Sequence, residues 1–277
     1  MTVLISGATG NVGRPLIDDL LAAGARVRAL SRYPQNAALP AGVEVVASAT
    51  SGLSGTDAVF VNSRALGPDL AGVVAQAVAE GVTKLVALSA INVDDDLSRQ
   101  PSRYRGDRNR EAEQAVAAAG LPWVSLRPAV FASNFAGMWD HQIRAGDIVS
   151  GPYAQASNAP IVEADIAAVA ARALLTDDLD GQRIAMTGPQ ALTCVEMVQD
   201  IAEVLHRPLR YLEVAADVVR KRFSAIGFPA AFADAYIAMQ AQAAEGPALV
   251  THEVEKILGR PPTSFSQWVA EHRDLFA

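Results

Sequence analysis

The residues best spaced to do chemistry are Gly7-Ala8-Thr9-Gly10-Asn11-Val12-Gly13, a glycine-rich turn of the kind that holds a pyrophosphate. Backbone N–H groups at a helix start attract anions, and glycine lets phosphate oxygens approach the chain. That chemistry requires a strand before the turn and a helix after it. The apolar run Val3-Leu4-Ile5 precedes it, and Val12, Leu16, Ile17, Leu20 and Leu21 follow at helical spacing. Gly24 stands where the helix should be capped, and Arg26–Leu30 reads as the next strand. The pattern predicts a dinucleotide held by Gly7, Thr9, Gly10, Asn11, Val12 and Gly13. A tight turn with no ligand is the alternative.

The end of the second strand reports which dinucleotide. A carboxylate there would grip the ribose 2′-hydroxyl of NAD, whereas an arginine accommodates the 2′-phosphate of NADP. The window from Arg26 to Gln35 contains no Asp or Glu, but it holds Arg26, Arg28 and Arg32. Arg32, next to Ser31, is expected to read the phosphate, so NADP(H) is favoured over NAD(H). Arg14, just past the third glycine, is a second candidate. Arg26 and Arg28 read as solvated positions near a sheet edge.

Strands are expected at 2–6, 26–31, 43–47, 58–62, 84–89, 123–127 and 182–187, with helices near 12–23, 69–80, 106–119 and 164–175. This alternation implies right-handed crossovers and a doubly wound, mostly parallel α/β sheet covered on both faces. Past Gly188 helical patterns dominate, starting at a capping box from Thr193 to Glu196. With the irregular 131–160 stretch, this part is expected to form a small, mainly helical substrate lobe. The division expected is a core of 1–130 and 160–187 and a lobe of 131–159 and 188–277.

The 277 residues, 51% hydrophobic and 19% charged, match an ordinary globular enzyme. A net charge of −7 and the lack of a basic patch interleaved with aromatics argue against nucleic acid as a partner. No apolar run reaches the roughly 20 residues needed to span a bilayer. The first residues read as a strand rather than a signal peptide, so a cytoplasmic protein is expected. Cys194 is single and reads as a small buried residue, and four scattered histidines predict no metal site. The partners expected are a small aromatic or quinone-like substrate and, at most, a second copy of the chain.

Several blocks together resemble the NmrA-like family of atypical short-chain dehydrogenases/reductases. They are Ile5–Gly13, Leu85-Val86-Ala87-Leu88-Ser89-Ala90, Leu126-Arg127-Pro128-Ala129-Val130-Phe131 followed by Asn134, and Ala164-Asp165-Ile166-Ala167. Thr187–Thr193 and Leu258-Gly259-Arg260-Pro261-Pro262 leading into Phe265 complete the set. The resemblance covers essentially the whole chain and implies a Rossmann core with a reduced C-terminal lobe, binding NAD(P)(H). It implies either a reductase of quinones, ketones, aromatic alkenes or dyes, or a cofactor-sensing regulator without turnover. It also places Pro128 near the cofactor, and Asn134 close to the nicotinamide. Asn62, Ser63 and Arg64 close the fourth strand and are expected on the cofactor's ribose or phosphate side.

Typical short-chain dehydrogenases carry Tyr-x-x-x-Lys on the helix after the Ser-bearing strand; the Tyr transfers a proton, the Lys lowers its pKa, and the Ser polarises the carbonyl. Ser89 stands where that Ser would be. The segment Arg103–Glu113 has no lysine, but Tyr104 and Arg108 are four apart, which on a helix puts a cation in the lysine's place. Aligning Glu113 with the acidic residue that usually follows the pair instead puts Arg105 and Asn109 in the two slots. Phe131, Asn134, Phe135, Met138, Trp139 and His141, with Tyr153, are expected to form an apolar substrate wall; lobe core is the competing role. The leading expectation is NADPH-dependent reduction of a small apolar or aromatic carbonyl or quinone by hydride transfer. The alternative is a non-catalytic NADP(H) sensor acting through a protein partner, and a sugar-nucleotide epimerase, which needs a competent Tyr–Lys pair, is disfavoured.

Overall fold

A computed structural model describes residues 1–276. In chain order its elements begin β1 (Thr2–Ser6), α1 (Gly13–Ala22), β2 (Arg26–Leu30), β3 (Glu44–Val46), α2 (Ala49–Leu53), β4 (Ala58–Asn62), α3 (Ser63–Leu66), α4 (Leu70–Ala79) and β5 (Lys84–Leu88). There follow α5 (Asn109–Ala117), β6 (Trp123–Pro128), α6 (Ala132–Ala145), β7 (Ile148–Gly151), β8 (Ser157–Asn158), α7 (Glu163–Leu175) and β9 (Arg183–Met186). The chain ends with β10 (Leu192–Thr193), α8 (Cys194–Leu205), β11 (Arg210–Glu213), α9 (Ala216–Ala225), α10 (Ala230–Ala243), α11 (Glu253–Leu258) and α12 (Phe265–Glu271).

Two compact units result. The first comprises 1–93, 106–128 and 163–185, and the second 94–105, 129–162 and 186–277. The first unit is built on a seven-stranded sheet of order β3-β2-β1-β4-β5-β6-β9, whose pairings from β3 to β6 are all parallel. Central strands β1 and β4 are buried almost throughout, because helices cover both faces of a parallel sheet. One layer of core runs from Leu4, Val59, Val61, Leu85 and Ala87 onto Leu70, Val74, Ala112 and Val116 of α4 and α5. Gly24, Gly81 and Gly120 adopt φ of 77°, 83° and 73°, the left-handed turn that ends a helix and frees the chain for the next strand.

Three expectations need correction. The 131–160 stretch is not irregular: it contains the fourteen-residue α6, whose apolar stripe Ala132, Phe135, Ala136, Trp139 and Ile143 was hidden by interspersed polar residues. Arg28 is not a solvated edge residue. Its guanidinium pairs with Glu44 at 2.8 Å and donates to Gly52 O at 3.0 Å, to Ser54 O and to Thr56 Oγ1, tying β2 and β3 to the end of α2. Finally, the helix expected from 106 begins at Asn109, because Gly106 (φ 100°) separates it from a one-turn helix at Pro101–Arg105.

The second unit has its own core. Phe135, Trp139, Ile143, Val149, Cys194, Met197, Val198, Ile201, Phe265 and Trp268 pack together from α6, β7, α8 and α12. The Thr193–Glu196 capping box opens α8 as expected: each side chain bonds the other's backbone N–H. Two small sheets, β8 with β10 and β7 with β11, fasten the loops around this core.

Candidate active site

In the first unit the glycine turn joins β1 to α1 in a geometry that only glycine permits. Gly7 has φ +75°, and a Cβ there would lie 2.8 Å from Asn62 Nδ2. A Cβ on Gly13 would lie 2.2 Å from Gly7 O, so the helix start packs directly on the turn. No side chain caps α1; in its first turn Arg14 N–H donates to Gly10 O and Leu16 N–H to Val12 O, both at 3.1 Å, and Pro15 carries no N–H. A tight turn, an uncapped helix start at the carboxyl end of a parallel strand and no room for a Cβ fit a pyrophosphate.

The neighbouring strand end is fixed by a hydroxyl the sequence reading did not single out. Ser6 is buried; its Oγ donates to Phe60 O at 2.8 Å and accepts from Asn62 N–H at 2.7 Å. Asn62 Oδ1 in turn accepts from the amides of Arg64 and Ala65. A lone serine ending an otherwise apolar strand was the available signal. Ser63 Oγ accepts from Arg108 N–H at 3.0 Å and donates to Asn109 Oδ1 at 3.1 Å, joining the end of β4 to the first turn of α5. Arg64 is engaged in a two-pronged ion pair with Asp107, both contacts at 2.7 Å.

Past β2, Arg32 is exposed, whereas Arg14 donates to Ala38 O at 2.9 Å and Ala37 O at 3.1 Å. Arg14 therefore holds the loop after β2 against the start of α1, at a residue, Ala38, with φ of 45°. At the end of β5, Ser89 is only 4% exposed, and its Oγ has no hydrogen-bond partner among the described residues. A buried hydroxyl is normally paired, so this one is available to a ligand. Pro128, ending β6, is buried.

Tyr104 and Arg108 do not share a helical face. Tyr104 lies in the one-turn helix, 40% exposed, while Arg108 immediately precedes α5 and donates to Asp107 O. Asn109, the other slot considered from sequence, is the first residue of α5 and is held by Ser63.

In the second unit the seven candidates for a substrate wall separate into core and more exposed positions. Phe135 and Trp139, 2% and 4% exposed, are core: their rings lie 5.1 Å apart, with Phe265 5.7 Å from Phe135 and Tyr211 6.2 Å from Trp139. Phe131 and Met138 are half-buried, and Asn134 and His141 exposed. Tyr153 is half-buried with φ of 47°, a conformation that a bulky residue adopts only when its surroundings enforce it. Here Tyr211 Oη donates to Pro152 O at 2.9 Å, and Glu213 accepts from Ala154 N–H at 2.7 Å, clamping both sides of the residue.

Two titrating groups lie outside these features. Burial alone would raise the Glu113 pKa, but hydrogen bonds from Arg127, Ser125 and Arg183 hold it down at about 2. Burial pushes the Cys194 thiol up to about 11, as expected of an inert packing residue. Among the described residues no cluster of His, Cys, Asp and Glu is placed to hold a metal, and no helix is long and apolar enough to cross a membrane.

Comparison with known proteins agrees with this geometry. Residues 7–177 match the model of a family described as NAD(P)H-binding. A (4-alkanoyl-5-oxo-2,5-dihydrofuran-3-yl)methyl phosphate reductase of Streptomyces griseus is 37% identical over 285 residues, covering 99% of both chains. An NAD(P)H azoreductase of Xenophilus azovorans is 30% identical over 288 residues, again 99% of each. The crystal structure of an NADPH-dependent quinone oxidoreductase of Escherichia coli shares the fold, with a TM-score of 0.82, 21% identity, and coverage of 99% of this chain and 100% of that one. The chain thus belongs to the NAD(P)H-binding family and is an NAD(P)H-dependent reductase.

Proposed function

We propose that the protein uses NADPH to reduce a small conjugated carbonyl compound, such as an aromatic ketone, a quinone or an unsaturated lactone, by hydride transfer. The observation that carries this reading is the buried, unpartnered Oγ of Ser89, at the carboxyl end of β5 in the unit that holds the glycine turn. Its hydroxyl donates to the acceptor's oxygen and stabilises the negative charge that develops as hydride arrives. The bound cofactor supplies that hydride. Asn109, gripped through Oδ1 by Ser63, keeps its Nδ2 group as a donor for the nicotinamide ribose, in the place where a lysine is usual. Arg32 reads the 2′-phosphate, on a loop that Arg14 steadies.

Reduction also needs one proton. Tyr104 lies outside α5 and lacks a neighbouring lysine on its own helix, so water or an acidic group of the acceptor supplies it. Quinones and conjugated carbonyls tolerate this because hydride transfer to them is intrinsically easy; alcohol oxidation, which needs a base, is poorly served. The activities of the two relatives, reduction of a dihydrofuranone phosphate and of azo compounds, support a conjugated acceptor.

The test is NADPH oxidation, followed by absorbance, against quinones, aromatic ketones and butenolides, with NADH in parallel. Turnover that is much faster with NADPH supports the reading. Tight NADPH binding without turnover on any acceptor would overturn it in favour of a sensor.

A further inference from the structure

Among the described residues, three other than glycine adopt a left-handed φ: Ala38, Tyr153 and His206. His206 closes α8, where that conformation is routine, and Ala38 is small and gripped by Arg14. Tyr153, in the loop between β7 and β8 of the second unit, ends no helix and carries a bulky ring at φ 47°. Glycine would take this φ without strain and asparagine at little cost, so the tyrosine side chain is kept against the preference of its backbone.

The second unit holds the loop on both sides of this residue. Gly151 O accepts from Val214 N–H and Tyr153 O from Ala156 N–H, each at 2.9 Å, and Ala156 O accepts from Cys194 N–H at 3.1 Å. Tyr211 Oη donates to Pro152 O at 2.9 Å, and Glu213 Oε2 accepts from Ala154 N–H at 2.7 Å. A Cβ on Gly151 would collide with the Tyr211 hydroxyl, so glycine there opens the path by which the phenol reaches Pro152. Burial raises the Tyr211 pKa, which keeps the phenol a protonated donor. A strained residue persists only where its surroundings over-determine it, and such residues gather where ligands are gripped. What this clamp presents is a ring that packs against the core of the second unit and is only half-buried, so part of it remains accessible.

We propose that Tyr153 sets acceptor specificity: its accessible ring stacks on a flat aromatic acceptor, and Tyr211 and Glu213 are positioning residues that hold it in that pose. This rests on the reductase reading and adds to it a preference for aromatic over non-aromatic acceptors. A tyrosine ring supplies a large contact surface at small entropic cost, and offset stacking rewards an aromatic partner over a non-aromatic one of similar polarity.

The test compares 1,4-naphthoquinone with cyclohex-2-enone, an aromatic and a non-aromatic conjugated carbonyl compound, both uncharged. Tyr153→Asn, which keeps the left-handed backbone, should raise KM for the naphthoquinone about tenfold and for the cyclohexenone less than about twofold. Tyr211→Phe keeps its ring and loses the hydrogen bond to Pro152. It should raise the naphthoquinone KM about three- to fivefold, and should add nothing in the Tyr153→Asn background, because it acts through Tyr153. An equal rise for both acceptors, an unchanged KM in either single variant whatever its Tm, or additive effects in the double variant would overturn the inference. Turnover confined to the cyclohexenone overturns it too; turnover confined to the naphthoquinone leaves its KM shift and the double variant to decide. If neither acceptor is turned over, the reductase reading fails by itself. Tyr153 is then tested by melting NADPH-saturated protein with 1-naphthol: stabilisation that Tyr153→Asn abolishes supports the inference, and stabilisation that is absent or equal in both proteins refutes it.

Discussion

Gly7 and Asn62 meet where β1 and β4 end, so close that a Cβ on Gly7 would lie 2.8 Å from Asn62 Nδ2. The glycine turn is therefore shaped from two sides, by the positive φ of Gly7 and by the carboxamide that also caps α3.

Substitution at Gly7 or Gly13 should remove cofactor binding. Gly13→Ala places a methyl 2.2 Å from Gly7 O and must displace the helix start. Gly7→Ala adds about 1 kcal/mol of backbone strain to its clash with Asn62. Calorimetry with NADPH should show no binding to Gly13→Ala, and thermal melts should show a lower Tm for both variants.

Arg32 and Arg14 should separate into two effects. Arg32→Ala should weaken NADPH binding about ten- to a hundredfold, the loss of one charge-assisted contact, with little change for NADH. Arg14→Leu frees the carbonyls of Ala37 and Ala38 and should weaken both cofactors modestly, because it loosens the loop rather than removing the phosphate contact. Equal losses for the two cofactors in Arg32→Ala would argue against its role.

Ser89→Ala should lower kcat about ten- to a hundredfold with little change in NADPH affinity, as for loss of one donor to a developing oxyanion. Tyr104→Phe should leave kcat within about threefold, since the residue lies outside α5 and without a helical cation. Steady-state kinetics of the two variants distinguishes them, and the reverse ranking would restore Tyr104 as the proton donor.

Glu113 makes folding stability depend on pH. Its folded pKa, about 2, lies below the ordinary value of 4.5, so its contribution is fully present above about pH 4.5 and is lost as the pH falls toward 2. The shift corresponds to about 3 kcal/mol at neutral pH. Thermal melts should show a declining Tm across that window, and Glu113→Gln should flatten the dependence. At neutral pH the variant should lose about 3–5 kcal/mol, because Arg127 and Arg183 are left without their carboxylate.

Local rules made much of the first unit readable from sequence. Strands β1, β4 and β5 are unbroken apolar runs because both faces of a central parallel strand are covered, and Gly24, Gly81 and Gly120 mark helix ends because only glycine takes their φ cheaply. The tight geometry of the glycine turn was legible for the same reason: the constraint on each residue comes from its immediate neighbours. Alpha-helix α6 was missed because its core stripe runs through Asn134, Asp140 and His141, and only packing against α8 and α12 selects Phe135 and Trp139 for burial.

What tertiary structure alone decided is which polar groups already have partners. The sequence lists Arg14, Arg28, Arg32, Arg64 and Arg99 as equivalent cations, whereas the fold spends Arg28 on Glu44, Arg64 on Asp107 and Arg14 on two loop carbonyls. It likewise breaks the Tyr104–Arg108 spacing with a left-handed Gly106, places Asn109 under Ser63, and leaves the Ser89 hydroxyl unpaired. Hydrogen-bond satisfaction depends on groups that are distant along the chain, as Arg64 and Asp107 are, 43 residues apart. Local patterns determine where elements begin and end; long-range pairing determines which of their side chains remain available for chemistry.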